Sequence, residues 1–470
     1  MAASHPSGPR DASHGPGAPA TAAGDALRAT GAAVRDADPG DAVAGVAPRW
    51  VASPASTEEV AALMRVSAGY DLAVVPVGGG TKQAWGDPPQ RCDLVVGTSS
   101  LVLGGGSAVE HSCGDLVARV SAGLPFDVLQ SALAASGQEL ALDGPVPGGT
   151  VGGMLATAAA GPRRLRYGTA RDLLIGITVV LADGTVARSG GKVVKNVAGY
   201  DLGKLFTGSY GTLGIITEAV FRLHPVPPAR RWVTTALPAP AAAGESATGF
   251  PVGPGALATA LAASQAEPSA VELDWLAPSG APALSVLVEG TAAGDRAETV
   301  RGLVGSGRAT GVRAEAVRDL AGGGDGPAPG GRVEAVPETA VTRQAPGWWG
   351  APPGEVLLEL RIPPSGVDRA LSAVAGRGLP ARVRGSLASA VLQIALPGEV
   401  GAAAFAAFVS GVRADVAPLG GRLTVLAAPA ELARLAGRWG PVAALPLMRR
   451  VKERFDPGRR MSPGRMAGGL

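Results

Sequence analysis

Pro147-Gly148-Gly149-Thr150-Val151-Gly152-Gly153 runs directly into Met154 to Ala160 and then into Gly161-Pro162-Arg163-Arg164. Four glycines within residues 148–153, ahead of a small-residue helix, let backbone lie directly against a flat ring system and against phosphate oxygens. A mere linker does not need a short alanine-lined helix after such a loop. Upstream, Pro76-Val77-Gly78-Gly79-Gly80-Thr81-Lys82 stands where a strand pattern gives way to a loop. A pyrophosphate needs inward-pointing N–H groups with no Cβ in the way, and successive glycines provide that, with Thr81 adding a hydroxyl donor. Alone this run is weak, and a plain glycine turn is its simpler reading. It matches neither the Walker pattern nor the dinucleotide fingerprint. Downstream come residues 190–202, from Gly190-Gly191 through Lys195-Asn196 to Tyr200-Asp201-Leu202, and then Gly208-Ser209-Tyr210-Gly211-Thr212-Leu213-Gly214-Ile215-Ile216-Thr217-Glu218.

The flanking text alternates strand and helix. Trp50 and Val51 are β-prone, Ser56 or Thr57 can cap, and Glu58 and Glu59 suit a first helical turn whose Val60, Leu63, Met64 and Val66 share a face. Strands are predicted at 73–77, 93–96 and 117–120. Pro125 opens a helix through Phe126, Leu129, Leu133 and Ala134 that Gly137 stops. Residues 174–181, Asp183-Gly184 and 185–188 spell a hairpin. Beyond His224 the character changes, with Pro225 to Pro228 and an Ala/Pro/Gly-rich stretch at 237–256 marking a boundary. Strand-like runs at 270–275, 284–288 and 356–362, helical ones at 291–303 and 366–374, and a low-complexity gap at 321–332 indicate a second α+β unit.

At 470 residues the chain has room for two cores. Its 70 Gly and 40 Pro reflect compositional bias, so glycine carries weight only in clusters between a strand and a helix. A net charge of +3 without a Lys/Arg block argues against nucleic acid. Two cysteines, Cys92 and Cys113, are too few for a disulfide framework and read as buried filler in a reduced, cytoplasmic compartment. Residues 1–24 show no secretory pattern, and the whole of 1–41 is expected to be a disordered tail. No apolar run approaches the ~20 residues of a membrane span, so contact with the inner face of a membrane would come through partners.

In this order and at these separations, the three blocks resemble the p-cresol-methylhydroxylase (PCMH)-type flavin domain shared by vanillyl-alcohol-type and D-lactate-type FAD oxidoreductases. Gly161-Pro162-Arg163-Arg164, Tyr167-Gly168, Arg171-Asp172, residues 195–201, Phe455-Asp456-Pro457 and Ser462-Pro463-Gly464-Arg465 are similar to the FAD-binding E subunit of bacterial glycolate oxidase. The likeness covers 45–226 well, 430–466 fairly, and between them only Leu357 to Pro364. It implies an α+β fold: a two-subdomain FAD-binding domain at 42–226, a linker at 227–256, and a smaller, degenerate cap or substrate-type domain at 257–466.

Carried over by residue, the resemblance implies that Pro76, Val77, Gly78, Gly79, Gly80, Thr81 and Lys82 hold the FAD pyrophosphate. Gly148, Gly149, Thr150, Val151, Gly152 and Gly153, with Ala158 and Gly161, would run beside phosphates and ring, and Ile215 and Ile216 would touch the cofactor through backbone atoms. Lys195, Asn196, Tyr200 and Asp201 would frame it; a surface turn with solvated lysines is the competing reading. Arg163 and Arg164 can clasp a substrate carboxylate or the phosphates, or be a solvated pair. Catalytic relatives carry a late His-rich segment with Gly-Asp-Gly-Asn. Here only His5, His14, His111 and His224 occur, and Gly324-Asp325-Gly326 lacks its histidine, so no metal site is expected. Lys82 and Gln83, at the position of covalent attachment, imply non-covalent FAD, and Tyr210 replaces a glutamate of catalytic relatives. The expected role is a subunit oxidising a small 2-hydroxy acid through a complex with a second flavoprotein and an iron–sulfur subunit, with no catalytic residue nominated. A stand-alone FAD-dependent alcohol or hydroxy-acid dehydrogenase and a non-catalytic assembly protein are the alternatives.

Overall fold

Short β-branched runs at Trp50–Ser53, Val74–Val77 and Leu94–Gly97 pair in parallel, with Trp50 and Val74 both opposite Leu94. The computed structural model describes residues 18–144, 146–191, 202–237, 253–308, 339–349, 354 and 356–470. The helix Thr57–Gly69 covers this sheet. Ser56 Oγ accepts from Glu59 N at 3.2 Å while the Glu59 carboxylate accepts from Ala55 N at 2.8 Å, satisfying two N-terminal donors reciprocally. The strand Ala33–Asp36 adds an antiparallel edge, and the helix Ala18–Arg28 buries Ala23 and Leu27 in the same core as Trp50 and Leu63. The expected tail therefore needs correction over 18–41: Leu27 is as buried as any core residue, because an apolar stripe found a sheet to cover. Residues 1–17 lie outside the described residues.

A second, antiparallel sheet runs Val109–Ser112, Val117–Ser121, Ile215–Arg222, Leu174–Val180, Val186–Gly190. The predicted hairpin is its edge. Gly184 sits at φ +85°, and the Asp183 carboxylate accepts from Thr185 N at 2.8 Å. Val180 and Ile215 also belong to the core of the first sheet, so the two sheets form one unit. His111 lies in the strand Val109–Ser112. Cys92 is buried, but Cys113 is exposed, with its Sγ 3.5 Å from His111 Nδ1.

The remainder is neither small nor degenerate. Eight strands form one sheet in the order Ala340–Thr342, Arg230–Ala236, Ala283–Glu289, Ala270–Ala277, Ala381–Ser386, Val391–Leu396, Val356–Arg361, Arg422–Ala427, every pair antiparallel. Period-two alternation divides its faces. Leu358, Leu360, Val383, Leu392, Ile394, Leu423 and Val425 pack against helices, whereas Glu359, Arg361, Arg384, Gln393, Arg422 and Thr424 share the opposite face. The linker assignment at 227–256 is overturned where it can be seen, since Arg230–Ala236 is a strand of this sheet. Residues 238–252 and the insertion at 321–332 lie outside the described residues. The helix Ala402–Val416 heads the 18-residue stretch 402–419 whose mean hydropathy, 1.3, and length would allow a membrane crossing. Its Phe405, Phe408, Val409, Val412 and Val416 instead fill the core beneath the sheet.

The second domain also ends earlier than expected. The helix Leu445–Phe455 and the residues after it return to the first domain. Lys452 Nζ donates to Asp456 Oδ2 (2.6 Å), Thr212 O (2.7 Å) and Met461 O (2.8 Å), and Ser462 N donates to Val74 O at 2.8 Å. Both charges of the Lys452–Asp456 pair are buried. Removing one partner would leave the other unpaired out of water, so the pair holds the C-terminal segment to the first domain.

Candidate functional site

The three glycine-rich runs meet. Gly79 lies so close to the second run that a Cβ on it would fall 2.0 Å from Gly148 O, and one on Gly78 would fall 2.2 Å from Thr150 Oγ1. Thr150 caps the helix Val151–Thr157, its hydroxyl accepting from Gly153 N at 3.2 Å. Gly152 allows that helix to rest on Ala122, whose carbonyl accepts from Gly152 N at 2.8 Å. The third run closes the ring: Gly208 N donates to Leu155 O (2.9 Å), Tyr210 N to Ala156 O (2.8 Å), and Gly211, at φ +72°, sits against Pro76.

A groove follows this junction. Of the expected cofactor residues, Pro76, Val77, Gly78, Gly79, Gly80, Thr81, Lys82, Thr150, Gly152, Gly153, Ile215 and Ile216 line it. Gly148 and Gly149 stand behind the first loop, and Val151 is buried beneath it. Ala158 and Gly161 line neighbouring cavities instead. Val75, Gln83, Thr98, Ala156, Thr157, Ser209, Tyr210, Gly211, Gly214 and Arg465 complete the groove, none of them among the expected cofactor contacts. Ser462 to Arg465 were legible only as a terminal motif, because what places Arg465 here is the return of the C-terminus. Lys195, Asn196, Tyr200 and Asp201 lie outside the described residues.

The groove suits an anionic dinucleotide. Burial holds the Lys82 ammonium below its ordinary pKa; its bond is to Thr81 Oγ1 at 3.2 Å, and no carboxylate among the described residues pairs with it. Ser209 Oγ and Arg465 Nη1 are buried without a partner among the described residues. Burial first, and the neighbouring Arg438 second, pull Arg465 down to about 10. Unmatched donors around a cleft from which Cβ atoms are excluded are what phosphate oxygens require.

Beyond Thr157 a cavity of about 270 Å³ opens between residues 157–160 and the polar sheet face, where Glu359, Arg361, Gln393, Arg422 and Thr424 project. Arg361 Nε donates to Glu359 Oε1 at 2.6 Å. Tyr210, in the left-handed region at φ +55°, forms part of its wall and meets Trp439 edge-on at 5.4 Å; burial raises its phenol well above the ordinary range. These residues escaped prediction although the alternation in Leu358-Glu359-Leu360-Arg361 announces one polar and one apolar face. Among the described residues, no group of three or more His, Cys, Asp or Glu stands where it could hold a metal.

Arg163 is corrected outright. Its guanidinium donates to Glu139 Oε1 and Asp143 Oδ1, both at 2.8 Å, and to Leu142 O at 3.2 Å. Glu139 also accepts from Arg230, which reaches Glu289 at 2.8 Å. Arg163 thus belongs to a buried network joining the two domains, its charge committed to Glu139 and Asp143 rather than to a substrate. Arg164 turns elsewhere, into a small chamber beside the cavity.

Residues 48–190 match a protein family described as FAD binding domain. Cytochrome-type D-lactate dehydrogenase 1, mitochondrial, of Saccharomyces cerevisiae is 37% identical over 182 residues, 39% of this chain and 31% of the yeast protein. Glycolate oxidase subunit GlcD of Bacillus subtilis is 36% identical over 186 residues, 39% of this chain and 38% of that one. Glycolate oxidase subunit GlcE of Escherichia coli is 42% identical over 121 residues, 25% of this chain and 35% of its own. The matches thus span less than half the length of these curated relatives. Among solved structures, p-cresol methylhydroxylase with substrate bound superposes with a TM-score of 0.67 at 15% identity, covering 96% of this chain and 97% of that one. Alkyldihydroxyacetonephosphate synthase gives 0.59 at 17% identity, over 89% and 78%. The chain therefore has the p-cresol-methylhydroxylase-type fold throughout, with an FAD binding domain at residues 48–190.

Proposed function

We propose that this protein is an FAD-dependent oxidoreductase of small 2-hydroxy acids, acting as the flavin-carrying subunit of a glycolate-oxidase-type assembly. One observation carries the reading: the groove formed by the three glycine runs leads, through Thr157 and Tyr210, into a polar cavity floored by a second domain. Lys82 and Arg465 would face the pyrophosphate, Gly78 to Thr81 would supply backbone N–H groups, and Ile215 and Ile216 would pack along the cofactor. A bound flavin supplies two-electron redox chemistry. Around it, residues 157–160 and the sheet exclude bulk water, and Glu359, oriented by Arg361, offers an acceptor for a hydroxyl proton. Lys82, an amine, stands where covalent attachment would need another side chain, so the flavin is held non-covalently.

The likeness to two glycolate oxidase subunits supports a complex, in which a second flavoprotein and an iron–sulfur subunit would take the electrons. The built cavity favours a second reading, a chain that oxidises substrate unaided. The test is anaerobic addition of glycolate or D-lactate to the purified yellow protein, with absorbance followed at 450 nm. Bleaching by the chain alone supports the stand-alone dehydrogenase, and bleaching only after co-purified partners are added supports the subunit. A colourless protein that takes up no FAD removes both.

A further inference from the structure

Beside the cavity, and sharing Ala160 and Gln393 with it as lining, lies a chamber of about 40 Å³. Its polar lining comprises Arg164, Glu272, Trp348, Arg384, Ser386 and Gln393. Arg164 is buried; Nε donates to Gly161 O at 3.1 Å and Nη2 to Ala160 O, and no carboxylate among the described residues lies within ion-pair distance of its guanidinium. Glu272, on the strand Ala270–Ala277 opposite Ser386, is 3% exposed and its Oε1 has no partner among the described residues. Trp348 presents a buried Nε1 that is also without a partner among the described residues, its ring stacked by Arg384 at 5.4 Å.

We propose that Arg164, Glu272 and Trp348 form the seat for the substrate's carboxylate. The inference rests on the hydroxy-acid reading above and deepens it. Burial pushes the Glu272 carboxyl up to about 8; Arg164 and a hydrogen bond with Ser386 pull it back, while Asp143 pushes it further up. Below that pH the carboxyl group is a neutral O–H donor, so guanidinium, indole N–H and carboxyl O–H all present donors to one small space. A carboxylate, with two acceptor oxygens and a charge opposite to the guanidinium, satisfies such a set. The volume is about three times the roughly 10–15 Å³ that one water needs, which suits a single carboxylate and leaves the rest of a short acid to extend past Ala160 and Gln393. Rival anchors are engaged or solvated: Glu359 holds Arg361, Asp274 accepts from Arg384 at 3.1 Å, and Arg422 is exposed.

The sign of the pH dependence follows. Ionisation of Glu272 above about pH 8 sets a negative charge beside the bound carboxylate, so affinity falls as pH rises and is retained below. The experiment is calorimetric titration of the flavin-loaded full chain with glycolate at pH 7 and pH 9, alongside reduction at 450 nm. For Arg164→Met the expected result is a Kd raised on the order of 10- to 100-fold, the loss of one charge-assisted contact, with flavin content unchanged; Arg164→Lys falls between. Wild type weakens several-fold from pH 7 to pH 9, and Glu272→Gln binds at pH 7 without that weakening. Should Arg164→Met not fold, the Glu272→Gln pH comparison decides.

An unchanged Kd in flavin-replete Arg164→Met, a pH dependence surviving in Glu272→Gln, or loss of binding in Arg422→Met rather than Arg164→Met overturns the seat. Arg164-dependent binding without reduction in any assembly leaves the seat standing and sinks the hydroxy-acid oxidase. Reduction with binding indifferent to Arg164 does the reverse.

Discussion

Gly79→Ala isolates the closest approach in the groove. Its new methyl would stand 2.0 Å from Gly148 O, about 1.4 Å short of the 3.4 Å at which ordinary contact begins. Both neighbours are backbone, so neither can rotate away, and the first and second runs must separate. Overpacking of this kind costs about 1–3 kcal/mol in stability. The larger effect falls on the ligand, because a cradle opened by an ångström loses one or two N–H contacts to phosphate, each worth about 1.5–3 kcal/mol. FAD affinity should fall by roughly 100-fold or more. Gly80→Ala is the control: a Cβ there meets nothing within 4 Å, and the φ of +70° imposes a strain of only about 1–2 kcal/mol. The ratio of absorbance at 450 and 280 nm in freshly purified protein, and fluorescence titration of the apoprotein with FAD, report the outcome. A Gly79→Ala protein as yellow as wild type, or a Gly80→Ala protein that loses as much flavin, would refute the convergence argument.

Lys82→Met should weaken FAD about 10- to 100-fold in the same titration, since it removes a buried ammonium that no carboxylate among the described residues pairs with. Asp456→Ala strands Lys452 in the interior and should cost about 3–5 kcal/mol, read by chemical denaturation. Arg163→Met should destabilise by a similar amount, about 3–5 kcal/mol, because Asp143 loses its guanidinium and Glu139 keeps Arg230 alone, while leaving glycolate affinity in the folded fraction near wild type. A large selective loss of glycolate affinity would restore Arg163 as a substrate ligand.

Much of the first domain was legible because its signals are local. A missing Cβ at Gly78, Gly79, Gly152 and Gly153 speaks of close approach wherever the chain goes, and the Asp183-Gly184 turn reads from four residues. The Ser56 cap likewise needs only its neighbours. Residues 18–41 read as a tail for the opposite reason: Leu27 and Ala23 form too short a stripe to declare a core until a sheet is set beneath them.

In the second domain the text of Leu358-Glu359-Leu360-Arg361 already carries two faces, but alternation does not say which face meets another domain. Strand order decided that, by laying Thr424, Glu359, Gln393 and Arg384 side by side across four strands. The roles of the two adjacent arginines were likewise invisible along the chain. Arg163 is claimed by Glu139 and Asp143, twenty and more residues upstream, while Arg164 faces Glu272 more than a hundred residues away. Glycine's conformational freedom is a property of the residue and can be read in place. A charge's function depends on what surrounds it once water has gone, and only the folded chain supplies those surroundings.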